Sequence, residues 1–398
     1  MTDLEHILSL WRELKSARTD YVLATVIAVQ GPSYRKPGAL MLLAADGRRA
    51  GAISGGCLEA EVAKRAWWIT ANGPTIQHYS TAEDDGDRPY GSGCGGTIFL
   101  FLERSATAGE LLAALDQAFE GRFPLAVAAA LEGPHIGCRA FARDDGTVPD
   151  HDPLLRRSLG PTDAFPCDVV LGTLRALAQR ALESRGPHEE EIGTGDTRIR
   201  AWAAYWAARP SLAIFGAGDD AQPLLRLAKE LGWFVSVADG RSHLATRERF
   251  PGADQVSTLP MNDLPNSDEK STPAAFGDLR AEDGAIVMTH SFEQDAKALA
   301  CLLQLPTPPS YIGVLGPQRR TRELLGEAAR LLSLPKAAIR DQADQWLNRL
   351  HAPTGLDLGA ESPETIALSI LAEIQKTRAA ATALPLRQVR GSGVTVAG

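Results

Sequence analysis

The sequence predicts an α/β protein in two parts, a duplicated α/β domain followed by a Rossmann-like, doubly wound domain. Three observations carry this expectation. First, a helix, an apolar run ending in Gly-Pro, a second apolar run and a DG turn occur twice, at Tyr21–Ser33 with Met41–Gly47 and at Phe123–His135 with Ala140–Gly146. Second, a polar stretch, PHEEEIGTGDTRIR from Pro187 to Arg200, interrupts the apolar periodicity and reads as a linker. Third, an apolar strand, Ser211–Phe215, runs straight into Gly216-Ala217-Gly218 and an amphipathic helix. The boundary falls within 190–210, dividing the chain into 1–200 and 201–398, with repeat copies at about 1–105 and 106–190.

Composition agrees. The chain has 398 residues, 44% hydrophobic and 23% charged, enough for two or three domains with their own cores. A net charge of −8 with no long basic block argues against a nucleic-acid partner. The five cysteines (Cys57, Cys94, Cys138, Cys167, Cys301) form no CxxC pair, so neither a disulfide framework nor a zinc ribbon is expected. Met1–Lys15 reads as an amphipathic helix rather than a signal peptide, and no apolar stretch is long enough to span a bilayer. The expectation is a cytoplasmic protein without a membrane span.

In the first half, Leu4–Lys15 and Gly109–Glu120 are amphipathic helices that precede the two repeated runs. Leu58–Thr70 and Asp168–Ser184 are the helices that follow them. The copies differ where chemistry is expected. Copy one carries Ser54-Gly55-Gly56-Cys57-Leu58-Glu59 at a strand-to-helix junction, and Gly91-Ser92-Gly93-Cys94-Gly95-Gly96 before the strand Thr97–Glu103. Copy two has neither segment, so it reads as scaffold.

Glycines let backbone N–H groups approach a ligand, and the start of a helix favours an anion and a thiolate. Cys57 sits where a thiolate is favoured and Cys94 is flanked by glycines, so the two loops, meeting at one end of the sheet, would form a soft, electropositive pocket, with Arg35 and Lys36 of the turn Gly31–Gly38 as anion contacts. The competing structural reading makes both cysteines small buried hydrophobes and the turn a solvated loop.

In the second half, Gly216-Ala217-Gly218-Asp219-Asp220-Ala221 follows the first strand, and the strand Trp233–Ala238 ends at Asp239. This βαβ pattern lets Gly216 and Gly218 approach a pyrophosphate while Asp239 accepts from a ribose hydroxyl. Asp219 and Asp220 compete with a phosphate for the helix start unless a cation such as Arg241 compensates. The strands Ala285–Thr289 and Tyr311–Leu315, with a helix over about Gln294–Leu305 between them, place His290 and Gly316 at ligand-binding strand ends. His290 suits a proton donor, a ligand or a helix cap, and Gln318-Arg319-Arg320 suits a phosphate contact or a solvated helix start. Residues 259–283 read as an exposed loop.

These residues together resemble the XdhC/CoxI family, accessory proteins of molybdenum hydroxylases such as xanthine dehydrogenase. The resemblance rests on GPSYRKPGALMLL, ISGGCLEAEV and GSGCGG in the first half. In the second it rests on LAIFGAGDDAQPLLRLAKELGWFVSVADGR, VMTHSFEQD, YIGVLGPQRR and HAPTGLDLGAESPETIALSILAEI. It implies a non-catalytic maturation factor that binds the molybdenum cofactor, as molybdopterin or its dinucleotide form. Such a factor presents the cofactor to a cysteine desulfurase for sulfuration and passes it to an apo molybdenum hydroxylase, acting as a homodimer. Two departures stand out: Gly31-Pro32-Ser33-Tyr34-Arg35 replaces a Gly-Ser-Ser-Pro-Arg pattern, and Asp219-Asp220 replaces His-Val. The alternatives are an NAD(P)-dependent oxidoreductase using His290 as acid, and a sulfurtransferase carrying a persulfide on Cys57 or Cys94.

Overall fold

The computed structural model describes residues 2–56, 58–80, 96–133, 135–144, 167–193, 199–263 and 279–391. The chain forms two compact units, Met1–Arg209 and Pro210–Gly398.

The first unit opens with α1 (Asp3–Ala17), capped at its N-terminus by Thr2 and closed by Arg18 in the left-handed region. There follow β1 (Tyr21–Gln30), β2 (Leu40–Ala44), β3 (Arg49–Gly51), α2 (Glu59–Ile69), β4 (Thr75–Ser80) and β5 (Thr97–Arg104). They build an antiparallel sheet in the order β3-β2-β1-β5-β4. Next come α3 (Ser105–Gly121), β6 (Leu125–Ala130), β7 (Arg139–Arg143), α4 (Cys167–Ser184), β8 (His188–Ile192) and β9 (Ile199–Trp206). Their antiparallel sheet runs β7-β6-β9-β8, the order of β2-β1-β5-β4 in the first sheet.

Alternation of side chains sorts the core. Val22, Ala24 and Val26 of β1 face α2, while Ala126, Ala128 and Ala130 of β6 face α4. The opposite faces meet through Ile27 and Phe101 of one sheet and Trp202 and Ala204 of the other. At the end of this layer the carboxylate of Glu103 pairs with the guanidinium of Arg139, both almost fully buried. Arg139 also donates to the carbonyls of Thr107 and Gly137.

The expected linker is a correction. His188–Ile192 pairs with β9, and β9 pairs with β6, so residues 188–206 belong to the first unit. The strand is hard to see because it is an edge: Glu189 and Glu191 point to solvent, so an apolar alternation is not required.

The second unit alternates β10 (Ser211–Phe215), α5 (Ala221–Glu230), β11 (Phe234–Asp239), β12 (Gln255–Thr258), β13 (Gly284–Val287), α6 (Phe292–Gln304) and β14 (Tyr311–Val314). Then follow α7 (Gln318–Leu331), α8 (Ile339–Leu347), α9 (Pro363–Arg378) and α10 (Leu386–Gly391). The sheet is parallel throughout, in the order β12-β11-β10-β13-β14, so the strand order reverses between β10 and β13. Helices α6, α7 and α8 cover one face, and α5 and α9 the other. This is the doubly wound arrangement predicted. The predicted exposed loop 259–283 begins on Leu259, which is buried in the core, while 264–278 lie outside the described residues. No described helix is long and apolar enough to cross a membrane.

Removing one partner of a buried ion pair strands the other charge away from water. Arg139→Ala should therefore cost about 3–5 kcal/mol, read as a fall in the urea midpoint of the first unit. The paired replacement Arg139→Met with Glu103→Leu should recover most of that loss.

Candidate functional site

In the first unit the turn before α2 is organised by a buried carboxylate. Glu59 accepts from the backbone of Ile53 (3.2 Å) and Ser54 (2.8 Å) and from the Ser54 hydroxyl (2.6 Å). The Ser54 oxygen in turn accepts from the N–H groups of Gly56 and Leu58, each at 3.2 Å. Burial alone would raise the pKa of Glu59, but the hydrogen bonds from Ser54 and Ile53 outweigh it and hold the acid below its ordinary value. The N–H groups of Gly56 and Leu58, expected to face a ligand, are taken up by Ser54, while Glu59 holds the chain before the turn.

What the turn leaves open is glycine. Gly55 and Gly56 are exposed, and Gly56 adopts φ 112°. A Cβ at Gly55 would lie 3.8 Å from the ring of Tyr34, itself 74% exposed on the loop Gly31–Gly38. That loop is closed at its base by Gly38 N–H donating to the Val26 carbonyl (2.8 Å) and Val26 N–H to Ala39 (2.9 Å). Its other side carries Gly96, where a Cβ would collide with the Pro32 carbonyl oxygen, so only glycine fits. One loop thus touches the ends of both Gly-Cys segments. Cys57, Gly93, Cys94 and Gly95 lie outside the described residues.

Arg35, expected as an anion contact, pairs through Nη2 with Asp3 at 2.6 Å. Its Nε is buried and has no hydrogen-bond partner among the described residues. The guanidinium carbon stands 5.8 Å from the Tyr34 ring, within cation–π range.

In the second unit, the strand ends at the order reversal bring Gly216, Asp239 and His290 together. Gly216 has φ 133°, and a Cβ there would collide with the Met288 carbonyl oxygen, so the first glycine is required by the close approach of β13's end. Asp239 is fully buried. One oxygen accepts from Ala217 N–H (2.7 Å) and Arg241 Nη2 (2.8 Å), the other from Arg241 N–H (2.8 Å) and Nε (2.9 Å). Burial raises its pKa and these bonds, led by Arg241, more than reverse that. The expected ribose acceptor is therefore spent on holding the glycine turn.

Arg241 is spent as well: it also donates to the Thr289 carbonyl (2.9 Å), tying the end of β11 to the end of β13. The partners of the acid pair are others. Asp219 meets Arg249 at 2.8 Å, and Asp220 meets His290 Nε2 at 2.8 Å. His290 is not the cap of α6, since Ser291 accepts from Gln294 N–H in that role. The histidine is exposed and left-handed at φ 61°, a conformation rare outside glycine and costly to hold.

Beyond β14, Gly316 turns at φ 109° against the stem of Arg320. Arg320 pairs with buried Asp295 (2.5 Å), which also accepts from Thr289 N–H (3.0 Å) and the Thr289 hydroxyl (2.6 Å). Arg319 points outward to Glu323. Arg249, the partner of Asp219, had no sequence signal, since it lies 30 residues away on an irregular segment.

The native pKa of Asp239 lies below its ordinary 3.8, so the unfolded chain binds more protons as the pH falls. Its stabilisation is complete above about pH 5 and is lost as the pH falls below 3.8 and through the native value. Asp239→Asn should lower stability at neutral pH by about 1.5–3 kcal/mol. The same substitution should flatten the acid limb of the second unit's denaturation profile, measured by urea titration at stepped pH.

Comparison with known proteins follows the two units. Residues 212–374 match the XdhC Rossmann domain, and residues 14–80 match the XdhC and CoxI family. A probable xanthine dehydrogenase subunit of Bacillus subtilis is 31% identical over 366 residues, covering 90% of this chain and 93% of that protein. The molybdenum cofactor insertion chaperone PaoD of Escherichia coli is 34% identical over 368 residues, covering 90% of this chain and 83% of that protein. A crystal structure of a xanthine dehydrogenase from Bacillus halodurans superposes with a TM-score of 0.64 at 27% identity, covering 98% of this chain and 99% of that one. With both units matched and relatives spanning nearly its whole length, the chain belongs to the XdhC and CoxI family.

Proposed function

We propose that this protein binds the molybdenum cofactor and inserts it into a molybdenum hydroxylase of the xanthine dehydrogenase type. The cofactor is cargo, held for transfer, and is not consumed. The observation that carries the reading is the loop Gly31–Gly38, which touches Gly55 of one Gly-Cys segment and Gly96 of the other. Family membership, with a cofactor insertion chaperone at 34% identity, supports it independently.

The residues fit such cargo chemically. A pterin is a flat aromatic system, and the exposed ring of Tyr34 beside Gly55 offers it a stacking face. The unpartnered Nε of Arg35 suits the cofactor's phosphate. Cys57 and Cys94 supply thiolates of the softness that a dithiolene-bound molybdenum prefers. In this reading the protein presents the cofactor to a cysteine desulfurase for sulfuration, works in the cytoplasm and acts as a homodimer.

Purified protein mixed with molybdopterin cofactor at micromolar concentration and passed through an ultrafiltration membrane should retain the pterin. Arg35→Ala and Cys57→Ala should each retain less. No retention by wild type, or retention equal in all three proteins, would sink the proposal.

The oxidoreductase reading loses its main support, because the acid meant for the ribose is buried against Arg241 and the helix start carries Asp219 and Asp220. Titration with NADH, followed by its fluorescence, should show no saturable binding up to about 1 mM, an affinity weaker than about 4 kcal/mol. Saturation in the micromolar range would restore that reading.

A further inference from the structure

A groove of about 1040 Å³ runs between α7 and α8, apart from the residues discussed above. Arg322, Gly326 and Arg330 form one wall, spaced four apart on a single face of α7. Lys336 of the turn with Arg340 and Asp344 of α8 form the other. The floor is apolar: Leu334 and Ile339 are half-buried against the core that Ala343 completes.

The positive charge is poorly compensated. Arg330 pairs with Glu327, and Arg322 stands 4.0 Å from Asp344, at the limit of an ion pair. Lys336 and Arg340 have no ion-pair partner among the described residues. In a chain of net charge −8 this is a local concentration of cations. Gly326 adds a second, independent sign. It sits inside α7, where glycine is disfavoured relative to alanine, yet a Cβ there would meet nothing within 4 Å. The fold does not need that glycine, and its absent side chain opens the middle of the wall.

We propose that this groove docks an acidic, amphipathic segment of a partner protein. Carboxylates of the segment meet Lys336 and Arg340, the rim cations without a partner among the described residues, and its apolar residues, at helical spacing, meet Leu334 and Ile339. Charge complementarity selects the partner, and the mostly apolar floor favours a peptide over a small anion. Helix α7 begins at Gln318, and the groove runs from Arg322, about one turn into the helix, to Arg330, about 18 Å along it. The inference stands whether or not the cargo proposed above is correct, since it concerns recognition of a protein.

The test is fluorescence anisotropy of a labelled helical peptide of about 18 residues, with leucines on one face and glutamates on the other. A control peptide carries glutamine in place of glutamate. The full-length chain should bind the acidic peptide and not the control. Gly326→Phe, which fills open space, and the double variant Arg330→Glu with Arg340→Glu should each weaken binding by at least about tenfold. Arg226→Glu, on α5, should leave it unchanged. Equal affinity across all variants would overturn the proposal. So would displacement of the peptide by millimolar pyrophosphate at matched ionic strength, which would mark a small-anion site. Should circular dichroism show Gly326→Phe to be misfolded, the charge-reversal variant decides alone.

Discussion

A carboxylate removed from water must find several donors, because the unpaired charge is far more costly than the hydrogen bonds that replace its hydration. This protein uses that constraint repeatedly to hold loops. Glu59 gathers the backbone of Ile53 and Ser54, Asp239 gathers the glycine turn and Arg241, and Asp295 gathers Thr289 and Arg320. Glu373 of α9 does the same for the segment after α8, accepting from Tyr311 (2.6 Å), Gly355 N–H (2.7 Å) and His351 Nδ1 (3.1 Å). In Glu59, Asp239 and Glu373 the donors outweigh desolvation and hold the acid below its ordinary pKa, so at neutral pH each is a fixed anion.

The consequence is opposite in the two units. In the Rossmann unit the held acids consume the groups that a dinucleotide would use. Arg241 bridges Asp239 and the Thr289 carbonyl, and the exposed acids of the helix start are met by Arg249 and His290. The crevice is neutralised from within. In the first unit the held acid lies behind the turn, so Gly55 and Gly56 stay open while their geometry is fixed by Ser54 and Glu59. Internal satisfaction pairs the charged groups at one strand-end region and leaves exposed glycine backbone beside an exposed tyrosine at the other.

The parallel sheet was legible because its signals are local. Ser211–Phe215 with its glycines, and strands ending at Asp239, Val287 and Val314, within two residues of the expected ends, follow from short apolar runs bounded by turn residues. The glycines at 96 and 216 stood out as places where a ligand could approach the backbone, whereas each is required by the chain's own close approach, to the carbonyl oxygens of Pro32 and Met288. What escaped is whatever depends on distant partners. β8 is an edge strand of charged residues, visible only through its pairing with β9. The role of Asp239 depended on whether Arg241 turned back onto it, which spacing does not reveal. Asp295, the last residue of the motif VMTHSFEQD, is tied to Arg320 across 25 residues.

Charge placement ties these features together. A net acidic chain that buries its acids against backbone and arginine leaves few fixed positive groups unbalanced, and those that remain mark where an outside anion is favoured. Arg35 keeps one buried N–H without a partner despite its pair with Asp3, at the loop that touches both Gly-Cys segments. Lys336 and Arg340 have no ion-pair partner among the described residues and lie above an apolar floor. An orphaned guanidinium N–H can satisfy one compact anion at close range, whereas spread ammonium and guanidinium groups over leucine and isoleucine suit an extended acidic surface. The same accounting that pairs the acids of the Rossmann crevice thus leaves two distinct remainders among the described residues, one guanidinium N–H at the loop Gly31–Gly38 and two cations over an apolar floor.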